Sequence, residues 1–247
     1  MSAIDLKPWL QHLLEHLPMA REGQDPEGVH QVRVAVRRLR VWLQLAGMRL
    51  LEDDLAWLVR AAGQVRDLEV LLQHPSLPKA FRVWAKTQTK QARAELVPLL
   101  DSPRLAGLLL ALSILPPLDK KMAEPRLERF MRQVERRSQV WRSEDNIEAL
   151  HALRRSLRRL RYAREWLGLD SDAVKALQEI FGQVGDLSFT LNYLAAFEAQ
   201  GGRTPPRYRK QLEASLAQAL EAAKQAWKHD SGNLRPCSGY TLGKQKL

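Results

Sequence analysis

The sequence predicts an all-α protein assembled from two copies of one helical unit. Three observations lead there. Apolar residues recur at steps of three and four along most of the chain, and proline and glycine cut it into segments of helical length. The stretch VHQVRVAVRRLRVWLQLAG, Val29 to Gly47, returns 121 positions later as LHALRRSLRRLRYAREWLG, Leu150 to Gly168. Seven of the nineteen paired positions are identical: one His, four Arg, one Leu and the closing Gly. At about 100° per residue, a helix gathers His30, Arg33, Arg37 and Arg40 into an arc of roughly 80°, with Val32, Val36, Leu39 and Leu43 on the adjoining face. In the second copy His151, Arg154, Arg158 and Arg161 repeat the arc beside Leu150, Leu153, Leu157 and Leu160.

Taken in order, Lys7 to Leu17 reads as a short opening helix ended by Pro18. Its His12 and His16 stand four apart, a metal-binding spacing that lacks a third ligand in the sequence, so they are expected as solvent-edge histidines and no metal is expected. Asp25 and Pro26 supply an N-cap and a first-turn proline for the first repeated helix, and Gly47 closes it. Glu52 to Gln73 follows, with a bend expected at Gly63. Pro75 and Pro78 interrupt before a helix from Lys79 to Leu100. Ser102 and Pro103 start another, to about Leu115, and Pro116-Pro117 marks the boundary between halves. The second half opens with Pro125 to Trp141. Ser143 is expected to cap the second repeated helix, which ends at Gly168. Residues 172–200 correspond to the 52–73 helix, with a break expected at Gly182 and Gly185. Gly201 and Gly202 turn the chain, and Thr204 with Pro205 begins a last helix to about His229. The expected organisation is one domain over residues 1–230, with repeats at about 5–116 and 124–229. Residues 231–247 read as a flexible tail.

Charge bounds the function. The protein carries 39 Lys and Arg against 28 Asp and Glu, a net +11. Residues 30–40 and 151–161 hold nine of those arginines and no acid, so the remainder is nearly neutral. A positive field focused on two helical stripes concentrates an anionic ligand. Arginine suits phosphate, because its planar guanidinium donates in pairs and keeps its charge. Successive guanidinium groups one turn apart, about 5 Å along the axis, can meet several charges of an extended polyanion. A content of 45% hydrophobic residues in 247 is ample for a packed core. The single Cys237 allows no internal disulfide. No apolar run reaches the ~18 residues of a spanning helix and no secretion signal opens the chain, so a cytoplasmic protein without a membrane segment is expected.

The core H-x-x-R-x-x-x-R-R-L-R, present from His30 to Arg40 and from His151 to Arg161, resembles the signature of the CHAD family, the conserved-histidine α-helical domain. A second repeat, GQVRDL at Gly63 to Leu68 and GQVGDL at Gly182 to Leu187, is similar to the family's Arg-Asp element, with Gly185 standing where the Arg is usual. The resemblance covers roughly residues 5–229. It implies two four-helix bundles related by a pseudo-two-fold axis around a central basic groove or pore, and binding of inorganic polyphosphate. A polyphosphate ligand leaves association with polyphosphate granules open for this cytoplasmic expectation.

The candidate binding set is therefore His30, Arg33, Arg37, Arg38 and Arg40 with His151, Arg154, Arg158, Arg159 and Arg161. Arg82, Lys86, Lys90 and Arg129 are secondary candidates from two further basic stripes, for which a solvated face is the plainer account. Two readings stand for each repeated histidine, a satisfied structural residue or a hydrogen-bond donor to phosphate that strengthens as it protonates below about pH 6.5. Arginines paired with acids on facing helices would account for single members of the stripes but poorly for nine without local acids. Asp67 and Asp186 read as partners that orient an arginine. The seven Trp sit at core-like spacings and form no base-stacking platform.

No phosphate loop, H-E-x-x-H or C-x-x-C is present, nor the E-x-E-x-K strand of the triphosphate tunnel enzymes sometimes fused to CHAD modules. The expectation is a non-catalytic polyphosphate-binding module without cofactor. The alternative is a nucleic-acid or general polyanion-binding module, since the same stripes would meet RNA or DNA. An undetected phosphohydrolase is the third reading, and metal-dependent release of orthophosphate would reveal it.

Overall fold

The computed structural model describes residues 3–234. Among them the chain forms nine α-helices: α1 (Lys7–Glu22), α2 (Pro26–Ala46), α3 (Glu52–Gln73), α4 (Lys79–Leu100), α5 (Pro103–Ser113), α6 (Lys120–Glu144), α7 (Ile147–Leu167), α8 (Asp172–Ala199) and α9 (Pro206–Asp230). Two short strands, β1 (Ala3–Ile4) and β2 (Leu118–Asp119), pair antiparallel and tie the start of the chain to the connection between halves.

The repeated helices form for the same local reasons. Asp25 accepts the backbone N–H of Glu27 at 2.8 Å ahead of α2, and Asn146 accepts that of Ala149 at 2.8 Å ahead of α7. Each then ends at a left-handed glycine, Gly47 at φ 74° and Gly168 at φ 68°, where any side chain would be strained. Their apolar stripes are fully buried, Val32, Val36, Leu39 and Leu43 in α2 and Leu150, Leu153, Leu157 and Leu160 in α7.

Helices α1 to α4 pack as successive neighbours, with α1 closing against α4. Helices α6 to α9 pack in the same order, and α5 links the halves while lying on α1, α3 and α4. The halves meet where α2 crosses α6 and α7, and where α3 and α4 touch α8. One contiguous apolar core spans both. Trp166 on α7 donates its indole N–H to the carbonyl of Arg38 on α2 at 3.0 Å, a bond that joins the two repeats directly. Phe81, Trp84 and Phe197 cluster between α4 and α8, and Trp141, Phe181 and Trp227 cluster in the second half. Trp42, Trp141 and Trp227 are buried in the core, and Trp9, Trp57, Trp84 and Trp166 pack half-buried against it.

Several boundaries differ from the sequence reading. Helix α1 continues through Pro18, and α6 begins at Lys120 and contains Pro125. A proline inside a helix costs about 3 kcal/mol. Here Leu17 and Ala20 flank Pro18, and Ala123 and Leu127 flank Pro125, all buried, so core packing on both sides of each proline outweighs that penalty. Helix α8 runs unbroken through Gly182 and Gly185, and α3 through Gly63. Ser143 lies within α6, its hydroxyl bonded to the carbonyl of Val140, and the reversal at Asp145 (φ 44°) leaves the capping role to Asn146. Thr204 bonds Glu198 instead of capping α9. Ser231–Leu234, assigned to the tail from sequence, instead form a 3-10 turn whose Leu234 is buried and accepts Arg164 Nη2 at 2.6 Å on its carbonyl. Residues 235–247, Cys237 included, lie outside the described residues.

Candidate anion-binding cavity

Where the halves meet, α2 and α7 turn their basic arcs toward a shared cavity of about 550 Å³, walled on its other sides by α3 and α8. Helix α2 contributes His30, Arg33, Arg37 and Arg40, and α7 contributes His151, Arg154, Arg158 and Arg159. Eight of the ten residues singled out by the duplicated motif are brought together.

The other two are not. Arg38 lies between the rings of Trp9 and Tyr162, its guanidinium carbon 4.1 and 4.6 Å from their centroids, and pairs with Glu165 at 2.5 Å. Arg161 covers Tyr162 at 4.8 Å and places Nε 3.1 Å from the same Glu165. The physical reason is local. Glu165 stands one turn beyond Arg161 and draws it away from the cavity, whereas the matching position after Arg40 is Gln44, itself part of the lining. The secondary candidates also fall elsewhere. Arg82 closes the end of α3, donating to the carbonyls of Leu72 at 2.8 Å and His74 at 2.7 Å. Lys86, Lys90 and Arg129 are exposed and stand off the cavity lining.

The cavity also holds residues the motif alone did not select. Arg66 and Asp67 come from the GQVRDL element of α3, and Arg155 from a position that is Val34 in the first copy. Phe189, Thr190 and Tyr193 come from α8, and nothing in their spacing distinguishes them from ordinary core-edge residues. The glycines of these elements make room for arginine. Arg33 Nη1 would come within 2.8 Å of a Cβ at position 63, and Arg154 Nη1 within 2.8 Å of one at position 185. Gly185, the departure from the Arg-Asp pattern, is therefore where Arg154 lies against α8.

The electrostatics are one-sided. Eight arginines and two histidines face two aspartates, Asp67 and Asp186. Asp67 approaches Arg33 at 3.8 Å, and Arg33 also donates to the carbonyl of Val59 at 3.3 Å. Arg40 reaches Glu52 at 3.4 Å, and Arg159 reaches Gln133 at 3.3 Å. Among the described residues, Arg37, Arg154, Arg155 and Arg158 have neither ion pair nor hydrogen-bond acceptor, and Nε of Arg154 is buried without a partner. Burial, then repulsion from Arg158, pushes Arg37 down from the ordinary guanidinium value, and burial, then repulsion from Arg154, does the same to Arg158. Guanidinium stays charged in proteins, so both groups hold positive charge in a poorly solvated place. Burial, reinforced by Arg66 near His30 and by Arg154 near His151, also pushes both histidines below 6.5. Each is neutral at pH 7 and keeps one N–H to donate. Burial and Asp67 push the Tyr193 hydroxyl up to about 12, so it too remains a donor.

The profile of the family described as CHAD domain matches residues 5–190. The chain belongs to the CHAD domain family. Its CHAD profile match ends within α8, and solved structures extend the likeness over both halves. The crystal structure of the CHAD domain from the plant Ricinus communis is 23% identical, with a TM-score of 0.69 over 91% of this chain and 89% of that one. PptA from Streptomyces chartreusis is 19% identical, with a TM-score of 0.67 over 93% of this chain and 97% of that one. At these identities the likeness establishes the CHAD fold. No curated protein matches the sequence significantly.

Proposed function

We propose that this CHAD domain binds inorganic polyphosphate, without catalysis, in the cavity between α2 and α7. The observation that carries the reading is the set of half-buried cavity arginines that no acceptor among the described residues satisfies, Arg37, Arg154 and Arg158, with Arg155 exposed beside them. A buried unpaired charge is costly, and a dense linear polyanion relieves that cost at several guanidinium groups together. Charge-assisted bonds from arginine to phosphate oxygen supply the affinity, and the neutral histidines and Tyr193 add uncharged donors. A concave site fits a slim chain better than a duplex, whose phosphates lie on a convex surface.

The reading is tested by competition. Labelled long-chain polyphosphate is bound at near-physiological salt and challenged with RNA, duplex DNA, short phosphates and heparin. Displacement by unlabelled polyphosphate alone supports a site selective for a slim, densely charged chain. Equal displacement by RNA or DNA per unit charge transfers the function to general polyanion binding.

A further inference from the structure

Helix α1 carries a side-chain cluster that the cavity does not use. His12, Glu15 and His16 stand together, and one ligand atom from each lies within 4.8 Å of the other two. The two imidazole centroids are 4.2 Å apart. Glu15, three residues after His12, lies on the same helical face as the histidine pair and is the third donor.

Both rings are held by hydrogen bonds. The amide of Gln31 on α2 donates to Glu27, which turns its Oε1 toward α1. That oxygen accepts from Nε2 of His12 at 2.9 Å. Nδ1 of His16 donates to the carbonyl of His12 at 2.8 Å. Since both partners are acceptors, each ring carries its proton on the bonded nitrogen and leaves the other bare, Nδ1 of His12 and Nε2 of His16. Metal-ligating imidazoles are oriented in this way, through the N–H that the metal does not use. Glu15 is exposed, and Gln11 donates to its Oε1 at 2.8 Å.

We propose that His12, Glu15 and His16 form a binding site for a divalent cation of the Zn²⁺ class, with water completing the coordination. Two imidazoles and a carboxylate suit Zn²⁺ and neighbouring transition metals, whereas Mg²⁺ and Ca²⁺ take oxygen donors. Two nitrogens bound to one zinc lie at most about 4 Å apart, close to the 4.8 Å within which the ligand atoms of these residues already stand. The order H-x-x-E-H also occurs on metallopeptidase helices, where the carboxylate acts as a base. None of these three residues lines the arginine cavity, and the site is one of binding alone. Because Gln31 holds His12 from α2, a bound ion also fastens α1 to its neighbour.

The test uses tag-free protein without polyphosphate. Zn²⁺ is titrated calorimetrically, and Co²⁺ is added in a parallel experiment to read its visible ligand-field spectrum. The expected result is one saturable equivalent, a low-symmetry nitrogen-and-oxygen Co²⁺ spectrum, and a Tm that rises with metal concentration. His12→Ala and His16→Ala remove the binding, Glu15→Gln weakens it, and Gln31→Leu weakens it about tenfold. Circular dichroism checks that each variant is folded. Absence of saturable binding in the unaltered protein overturns the proposal, as does binding of equal strength in folded His12→Ala/His16→Ala.

Discussion

Arg37 and Arg38 are neighbours on one helix with opposite duties. Arg37 faces Arg158 across the cavity with no acceptor, while Arg38 is sandwiched by Trp9 and Tyr162 and paired with Glu165. Replacing Arg158 by Ala should weaken polyphosphate binding about tenfold to a hundredfold, the worth of a charge-assisted bond, and leave Tm unchanged or raised, because a repulsion is removed. Arg38→Ala should lower stability by about 1–3 kcal/mol through its lost ring and carboxylate contacts and leave affinity close to that of the unaltered protein. Thermal melts and binding isotherms on both variants check the contrast. The histidines make a pH prediction. His30 and His151 titrate below 6.5 in the folded protein, whereas the unfolded chain takes its protons near 6.5. As pH falls below 6.5 the unfolded state binds more protons, so stability of the free protein declines through the folded-state titration. Bound phosphate favours the protonated rings and reverses that trend. Melting curves between about pH 7.5 and 5.5, with and without polyphosphate, should diverge toward acid, and His30→Gln/His151→Gln should remove the divergence. At this scale the sequence disclosed which residue types converge, because the arc follows from the 3.6-residue period. It did not disclose the diversion of Arg38, which depends on Trp9 of α1 and on Tyr162 and Glu165 of α7 meeting it in the fold.

Helix α2 was legible almost to the residue, and α7 at its closing Gly168, because a cap, a first turn and a terminal glycine all act locally. The helices containing Pro18 and Pro125 were read too short, since what carries the helix past each proline is burial of residues on both sides, a tertiary effect. The cap of α7 shows the same limit. Ser143 and Asn146 are both good capping residues in sequence, and only the left-handed turn at Asp145 selects the second. Asn146→Ala should destabilise the protein by about 1 kcal/mol, whereas Ser143→Ala should change stability by less than about 0.5 kcal/mol. Chemical denaturation of the two variants, with matched m-values, decides between the caps. Continuity of α8 through Gly182 and Gly185 has a further effect, since it keeps Gly185 in register beneath Arg154 and Asp186 on the cavity wall.

For the whole molecule, the duplicated stripe marks two helices, α2 and α7, that pack against each other and hold ten arginines against three glutamates, within one apolar core that spans both parts of the chain. The enclosing role of α8, with Phe189, Thr190 and Tyr193, was not legible, because these residues take part only through how the halves pack. A site made at such a junction is emptied of function by removing its charges while its scaffold stays intact. The most direct measurement is polyphosphate binding by Arg37→Ala/Arg154→Ala/Arg158→Ala beside the unaltered protein, each titrated at about 50 and 200 mM salt. The unaltered protein should lose about a hundredfold in affinity across that range if some four phosphates are neutralised. The variant should remain folded with an undiminished Tm and show no measurable binding at either salt. Retention of the original affinity and salt dependence by the folded variant would contradict the account and put the polyanion on another surface.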